Sequence, residues 1–129
     1  MEKILVIDDE KPTLSMFRLF LEAYGYNVYT AENGTEGIEI FRTEKPAIVL
    51  TDVKMPGIDG LAVLQQIKEI APQTAVIVIT GPGDTALTEQ AIELDAVDFI
   101  SKPIKKEALD AALEKAREKQ NTDRPNGGS

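Results

Sequence analysis

Four short, almost wholly apolar runs recur along the chain, at Lys3 to Ile7, Ala47 to Leu50, Ala75 to Ile79 and Val97 to Ile100. Each is rich in Val and Ile and stops at a polar or glycine-containing break, which predicts strands buried on both faces of a sheet. Asn27 to Ala31 predicts a shorter strand at an edge, with Val28 inward. Between the strands the apolar spacing changes to every three or four residues, the period of an amphipathic helix. Alternation of the two periods predicts an α/β fold: a single doubly wound, five-stranded parallel sheet with helices on both faces.

The helices are marked by their ends. Pro12 suits the first turn of the first helix, Leu14, Phe17, Leu21 and Tyr24 form its stripe, and Gly25 ends it. Asn33-Gly34 turns the chain into a second helix ending near Thr43, with Ile38 and Phe41 as core contacts. Asp59 is the N-cap of a third helix from Gly60 to about Ile70, with Leu61, Leu64, Ile67 and Ile70 on one face and Ala71-Pro72 as its stop. Asp84 is the N-cap candidate of a fourth helix through about Leu94, whose stripe of Leu87, Ala91 and Leu94 is poor in large residues. The fifth helix, Lys105 to about Gln120, buries Leu109, Ala112, Leu113 and Ala116. Residues 1–120 are expected to form one domain, and the polar stretch 121–129, with Pro125-Asn126-Gly127-Gly128, a flexible tail or linker.

In parallel α/β sheets ligands bind at the carboxyl ends of the strands. The residues expected there are Asp8 and Asp9 after the first run, Asp52 after the third, Thr80 and Gly81 after the fourth, and Lys102 after the fifth. Taken singly, Asp52 reads as an acid capping the following turn. Together the set reads as chemistry. Carboxylates at close quarters disfavour one another's ionisation unless a cation compensates, and a hard divalent ion such as Mg2+ does so with oxygen ligands. Lys102 supplies a mobile point charge for carboxylate or phosphate oxygens, Thr80 a hydroxyl donor, and Gly81 leaves space beside it. A carboxylate activated in this way can form an aspartyl phosphate.

Composition narrows the classes. With 129 residues and no cysteine, the chain fits one domain without disulfides or thiolate metal sites. The net charge of −8 argues against direct nucleic-acid binding, which relies on Lys and Arg. No run approaches the roughly 18 apolar residues of a membrane span, so a cytoplasmic protein is expected, with no membrane partner. Histidine is absent, so any phosphohistidine in a relay must belong to a partner.

Asp8-Asp9, Asp52 with Met55-Pro56-Gly57-x-Asp59-Gly60, Thr80-Gly81 and Lys102-Pro103 together resemble the response-regulator receiver domain of two-component signalling, the CheY-like superfamily, over about Lys3 to Lys119. The resemblance implies the flavodoxin-like strand order 2-1-3-4-5. It implies a phosphoprotein in which Asp52 accepts a phosphoryl group from a sensor histidine kinase or phosphotransfer protein. Asp9, Asp52 and the backbone carbonyl of Lys54 would ligate Mg2+, or another divalent ion such as Mn2+, with Asp8 acting mostly through water. Lys102 and Thr80 would engage the phosphoryl oxygens, Phe99 would turn inward behind Thr80 as the switch aromatic, and Pro103 would follow a cis peptide. Such a domain is a signalling switch rather than a metabolic enzyme, catalysing its own phosphoryl transfer and slow autodephosphorylation. Its readout is a changed surface for a downstream output domain or protein, and a homodimer through the fourth and fifth helices is a further expectation.

Other readings stay open at this point. Phe99 also fits an ordinary core position, and Lys54 a solvated surface lysine. Asp95 stands where many receivers have glycine, so the turn there is expected to be altered if it needs a left-handed residue. Asp8-Asp9-Glu10 would repel the phosphate of a flavin, and Lys54 stands where a haloacid-dehalogenase phosphatase has its second acid. The remaining alternative is a receiver-like interaction module that works without phosphorylation.

Overall fold

The protein is described by a computed structural model over residues 2–122. Ten elements alternate: β1 (Lys3–Ile7), α1 (Lys11–Ala23), β2 (Asn27–Ala31), α2 (Gly34–Glu44), β3 (Ile48–Asp52), α3 (Gly60–Ile70), β4 (Ala75–Thr80), α4 (Thr85–Glu93), β5 (Asp98–Ser101) and α5 (Lys106–Thr122). The strands form one five-stranded sheet in the order β2-β1-β3-β4-β5, with every pairing parallel. This is the doubly wound architecture and the strand order expected.

Because strand side chains alternate between faces, each central strand contributes to two cores. Ile4 and Val6 of β1 join Phe17 of α1 and Leu113 of α5 on one face, while Leu5 and Ile7 join Phe41 of α2 and Leu64 of α3 on the other. With both faces covered, β3 and β4 are buried at every position, which is why they read as continuous apolar runs.

Side chains cap two helix starts, Asp59 as expected and Asn33 beyond the turn expected there. Asp59 Oδ1 accepts the Ala62 N–H at 3.0 Å. Asn33 Oδ1 accepts the Glu36 N–H at 2.8 Å, and the Glu36 carboxylate reaches back to the Glu32 N–H at 2.8 Å. Asn33→Ala is expected to cost about 1 kcal/mol in urea denaturation; an unchanged midpoint would show that the cap is dispensable.

Several helix positions differ from expectation. Tyr24 is not part of the α1 stripe: it stands at the C-cap, and its hydroxyl donates to Asp110 of α5. On α3 Val63 is buried and Ile70 exposed, because the helix is rotated to press Val63 and Gly60 onto the sheet. Of the expected α4 stripe only Ala91 is fully buried. Asp84 occupies the N-cap position of α4 without making a side-chain cap bond. Asp95 does adopt the left-handed conformation, φ 76°, so the turn after α4 is kept with aspartate in place of glycine. Helix α5 runs two residues past Gln120. The tail expectation for 123–129 lies outside the described residues. No helix among the described residues is long and apolar enough to cross a membrane.

Candidate functional site

Parallel register sets the site. Ile7 pairs with Thr51, Asp52 with Ile79, and Thr80 with Ser101, so the residues that end β1, β3, β4 and β5 emerge at one edge. Asp8, Asp9 and Asp52 each place one carboxylate oxygen within 4.8 Å of the others, Asp8 and Asp52 buried and Asp9 exposed. Lys102 reaches into this group from beyond β5. Its ammonium lies 3.1 Å from Asp52 Oδ2, 3.4 Å from Asp8 Oδ2 and 2.7 Å from Glu10 Oε1. The Lys102–Pro103 peptide bond is cis.

Backbone donors aim the carboxylates. The Glu10 N–H donates to Asp8 Oδ1 at 2.9 Å, and the Lys54 N–H donates to Asp52 Oδ1 at 3.1 Å. Thr80 is buried at the end of β4, where its carbonyl accepts the Lys102 N–H at 2.8 Å. Phe99 is 44% exposed, so it is no core residue. It borders an open groove of about 650 Å3 together with Thr80, Thr88 and Ile92.

The electrostatics follow from this crowding. Burial pushes the Asp8 carboxyl up to about 6, against the Glu10 N–H bond, with the Asp52 charge adding and Lys102 opposing. Burial also works against the charge of Lys102, but its bonds to Glu10 and Asp52 and the charges of Asp52 and Asp8 hold its ammonium above the ordinary lysine range. The bond to Lys102, then its charge, lowers Glu10. Asp8 Oδ2 is buried and accepts no hydrogen bond. An all-oxygen set with one such atom fits a hard divalent cation, which would neutralise the excess of acid.

Two acids in the site were given no such role by the sequence. Glu10 extends the Asp8-Asp9 run by one residue, and its hold on Lys102 depends on a contact 92 residues away. Asp84 carried the sequence signal of a helix cap, but its Oδ2 accepts the Gly81 N–H at 2.8 Å and its Oδ1 faces the Lys54 ammonium at 3.3 Å. Lys54 therefore has a specific side-chain partner and is more than a solvated lysine.

Comparison with known proteins agrees with this geometry. The family profile of the response regulator receiver domain matches residues 4–114. Over 115 residues the chain is 33% identical to the transcriptional regulatory protein GlrR of Escherichia coli K12, covering 89% of this chain and 26% of that protein. It is 37% identical over 112 residues to the probable transcriptional regulator ycf27 of Porphyra purpurea, covering 87% of this chain and 46% of that protein. The chain thus spans from about a quarter to under half the length of these relatives. The crystal structure of a response regulator receiver domain protein from Clostridium thermocellum superposes with a TM-score of 0.89 at 38% identity, covering 93% of this chain and 97% of that one. The chain belongs to the response regulator receiver domain family of two-component signalling.

Proposed function

We propose that Asp52 accepts a phosphoryl group from a phosphohistidine on a sensor kinase or phosphotransfer protein in the cytoplasm. The observation that carries this reading is the Lys102 ammonium seated 3.1 Å from Asp52 Oδ2 at the edge of the three-aspartate cluster. An Asp52 carboxylate oxygen attacks phosphorus, the bond from phosphorus to the donor imidazole breaks, and the imidazole leaves to take up a proton from solvent. Asp8, Asp9, Asp52 and the Lys54 carbonyl would hold Mg2+, which when bound supplies charge to offset the phosphoryl oxygens. Lys102 exchanges its carboxylate partners for a phosphoryl oxygen, and the Thr80 hydroxyl and the Gly81 N–H turn to the others.

The new charge is read out beside the site. Movement of Thr80 vacates space behind it, which Phe99 fills from its exposed position, reshaping the face of α4, β5 and α5 where an output domain or a second copy docks. The chain catalyses its own phosphorylation and slow dephosphorylation and acts on no metabolite.

Intact mass after incubation with Mg2+ and acetyl phosphate tests the assignment. The wild type is expected to gain one phosphoryl group that Asp52→Asn does not. Equal gain in both would move the acceptor elsewhere, and no gain in either would favour a module that works without phosphorylation.

A further inference from the structure

Asp84 has no part in the chemistry described so far, and its surroundings are unusual for an acid. It is only 6% exposed, yet its side chain makes no cap bond to its own helix. Oδ2 holds the Gly81 N–H at 2.8 Å, next to Thr80. Oδ1 is buried without a hydrogen bond and faces Lys54 Nζ at 3.3 Å. The Gly81 N–H and, after it, Lys54 hold this carboxyl below the ordinary aspartate range. One side chain in the β4–α4 loop thus grips its own loop at Gly81 and the loop that follows Asp52 at Lys54.

Lys54 is fixed at its backbone, while its side chain runs through solvent to the Asp84 carboxylate. Its N–H donates to Asp52 Oδ1, while its side chain is 73% exposed. A phosphoryl group on Asp52 would bring a charge of about −2 and several acceptor oxygens within reach of the same lysine. It outcompetes a single carboxylate for that ammonium. Once Lys54 turns away, Asp84 Oδ1 is left buried, charged and unpaired, a state the loop relieves by moving.

We propose that Asp84 is a positioning residue that competes with the phosphoryl group of Asp52 for the Lys54 ammonium, so that departure of Lys54 loosens the loop carrying Thr80 and Gly81. This rests on Asp52 being the phosphoacceptor. Competition also sets the lifetime of the phosphorylated state. In hydrolysis a water oxygen bonds to phosphorus, the bond between phosphorus and the Asp52 oxygen breaks, and inorganic phosphate leaves with the carboxylate regenerated. Lys54 paired with the phosphoryl oxygens occupies the mouth of the site in place of that water.

The test measures phosphoryl half-lives, by intact mass after labelling with acetyl phosphate and Mg2+, for the wild type, Asp84→Asn, Lys54→Met and the double variant, with the Tm of each. Asparagine keeps an oxygen for the Gly81 N–H but lacks the charge that holds Lys54. Asp84→Asn is expected to lengthen the half-life roughly two- to fivefold, the range set by the strength of an ion pair whose lysine is exposed to solvent. Lys54→Met is expected to shorten it, and adding Asp84→Asn to Lys54→Met to change nothing. An unchanged half-life in Asp84→Asn, or an equal change in both lysine backgrounds, overturns the proposal and leaves Asp52 standing. Absence of label on the wild type overturns the phosphoacceptor assignment and this proposal with it. Should Asp84→Asn not fold, Lys54→Met and Lys54→Arg decide: arginine is expected to keep the wild-type half-life, and equal half-lives in Lys54→Met and wild type overturn the proposal.

Discussion

Gly60→Ala is expected to destabilise the domain by about 3–5 kcal/mol, a large part of the total for a domain of this size. A methyl group there would stand 2.6 Å from Val53 Cα and 2.8 Å from the Asp52 carbonyl carbon, and closer still to the Asp52 carbonyl oxygen. All three are backbone atoms, so no rotamer change relieves the clash. The Gly60 N–H also donates to the Val53 carbonyl at 3.1 Å, tying the first turn of α3 to the end of β3. Either the helix start or the strand end must shift, and the strand end carries Asp52. Alanine's better helix propensity returns only about 1 kcal/mol. Gly25→Ala is the control: nothing lies within 4 Å of its added methyl group, and only the positive φ of 97° opposes it, at about 1 kcal/mol. Urea denaturation of both variants decides the matter, and equal small losses would show that β3 and α3 yield more readily than a packed interior should.

The second large effect is a fall in stability of the metal-free domain as pH rises through the Asp8 titration. Asp8 is fully buried, and its carboxyl titrates near 6 in the fold against a reference of 3.8. The native state therefore binds more protons than the unfolded state between those values, so stability falls across that window and stays low above it. The shift corresponds to at most about 3 kcal/mol, and screening at the mouth of the site reduces this to about 2 kcal/mol. Glu10 and Asp84 act in the opposite sense, since their lowered values make stability fall as pH drops below the ordinary carboxylate range. Asp8→Asn is expected to flatten the decline between pH 4 and 6 and to raise stability at pH 7. Mg2+ is expected to stabilise the wild type more at pH 7 than at pH 5, because cation binding and protonation compete for the same oxygens. Parallel denaturation curves for the wild type and Asp8→Asn across pH 4–7 would show that the burial of Asp8 carries no such cost.

Much of the site was legible because its parts sit at strand ends. An apolar run followed by a polar break locates a carboxyl end without knowledge of the partner strand, and that placed Asp8, Asp9, Asp52, Thr80 and Lys102 together. Phe99 was ambiguous for the opposite reason. An aromatic residue on the last strand has the same local pattern whether it faces the core or the groove, and only the tertiary structure shows it half-exposed in the groove beside α4. Asp84 shows the limit of a local rule. An acid before a helix predicts a cap, but the Gly81 N–H and the Lys54 ammonium are stronger claims on the same carboxylate.

By itself the sequence determined the alternation of strands and helices, the parallel sheet, the turn at Asn33-Gly34, the cap at Asp59, and which chemical groups lie at the sheet edge. These depend on periodicity and on neighbours a few residues apart, which a linear chain displays directly. The tertiary structure decided how those groups share one another. Lys102 divides its charge among Glu10, Asp8 and Asp52, which lie from 50 to 94 residues before it. Asp8 is pushed toward neutrality by burial, and Asp84 turns from its helix to bridge two loops. Charge interactions and desolvation depend on distance through space and on what excludes water, and both exist only once the strands have paired and the helices have covered the sheet.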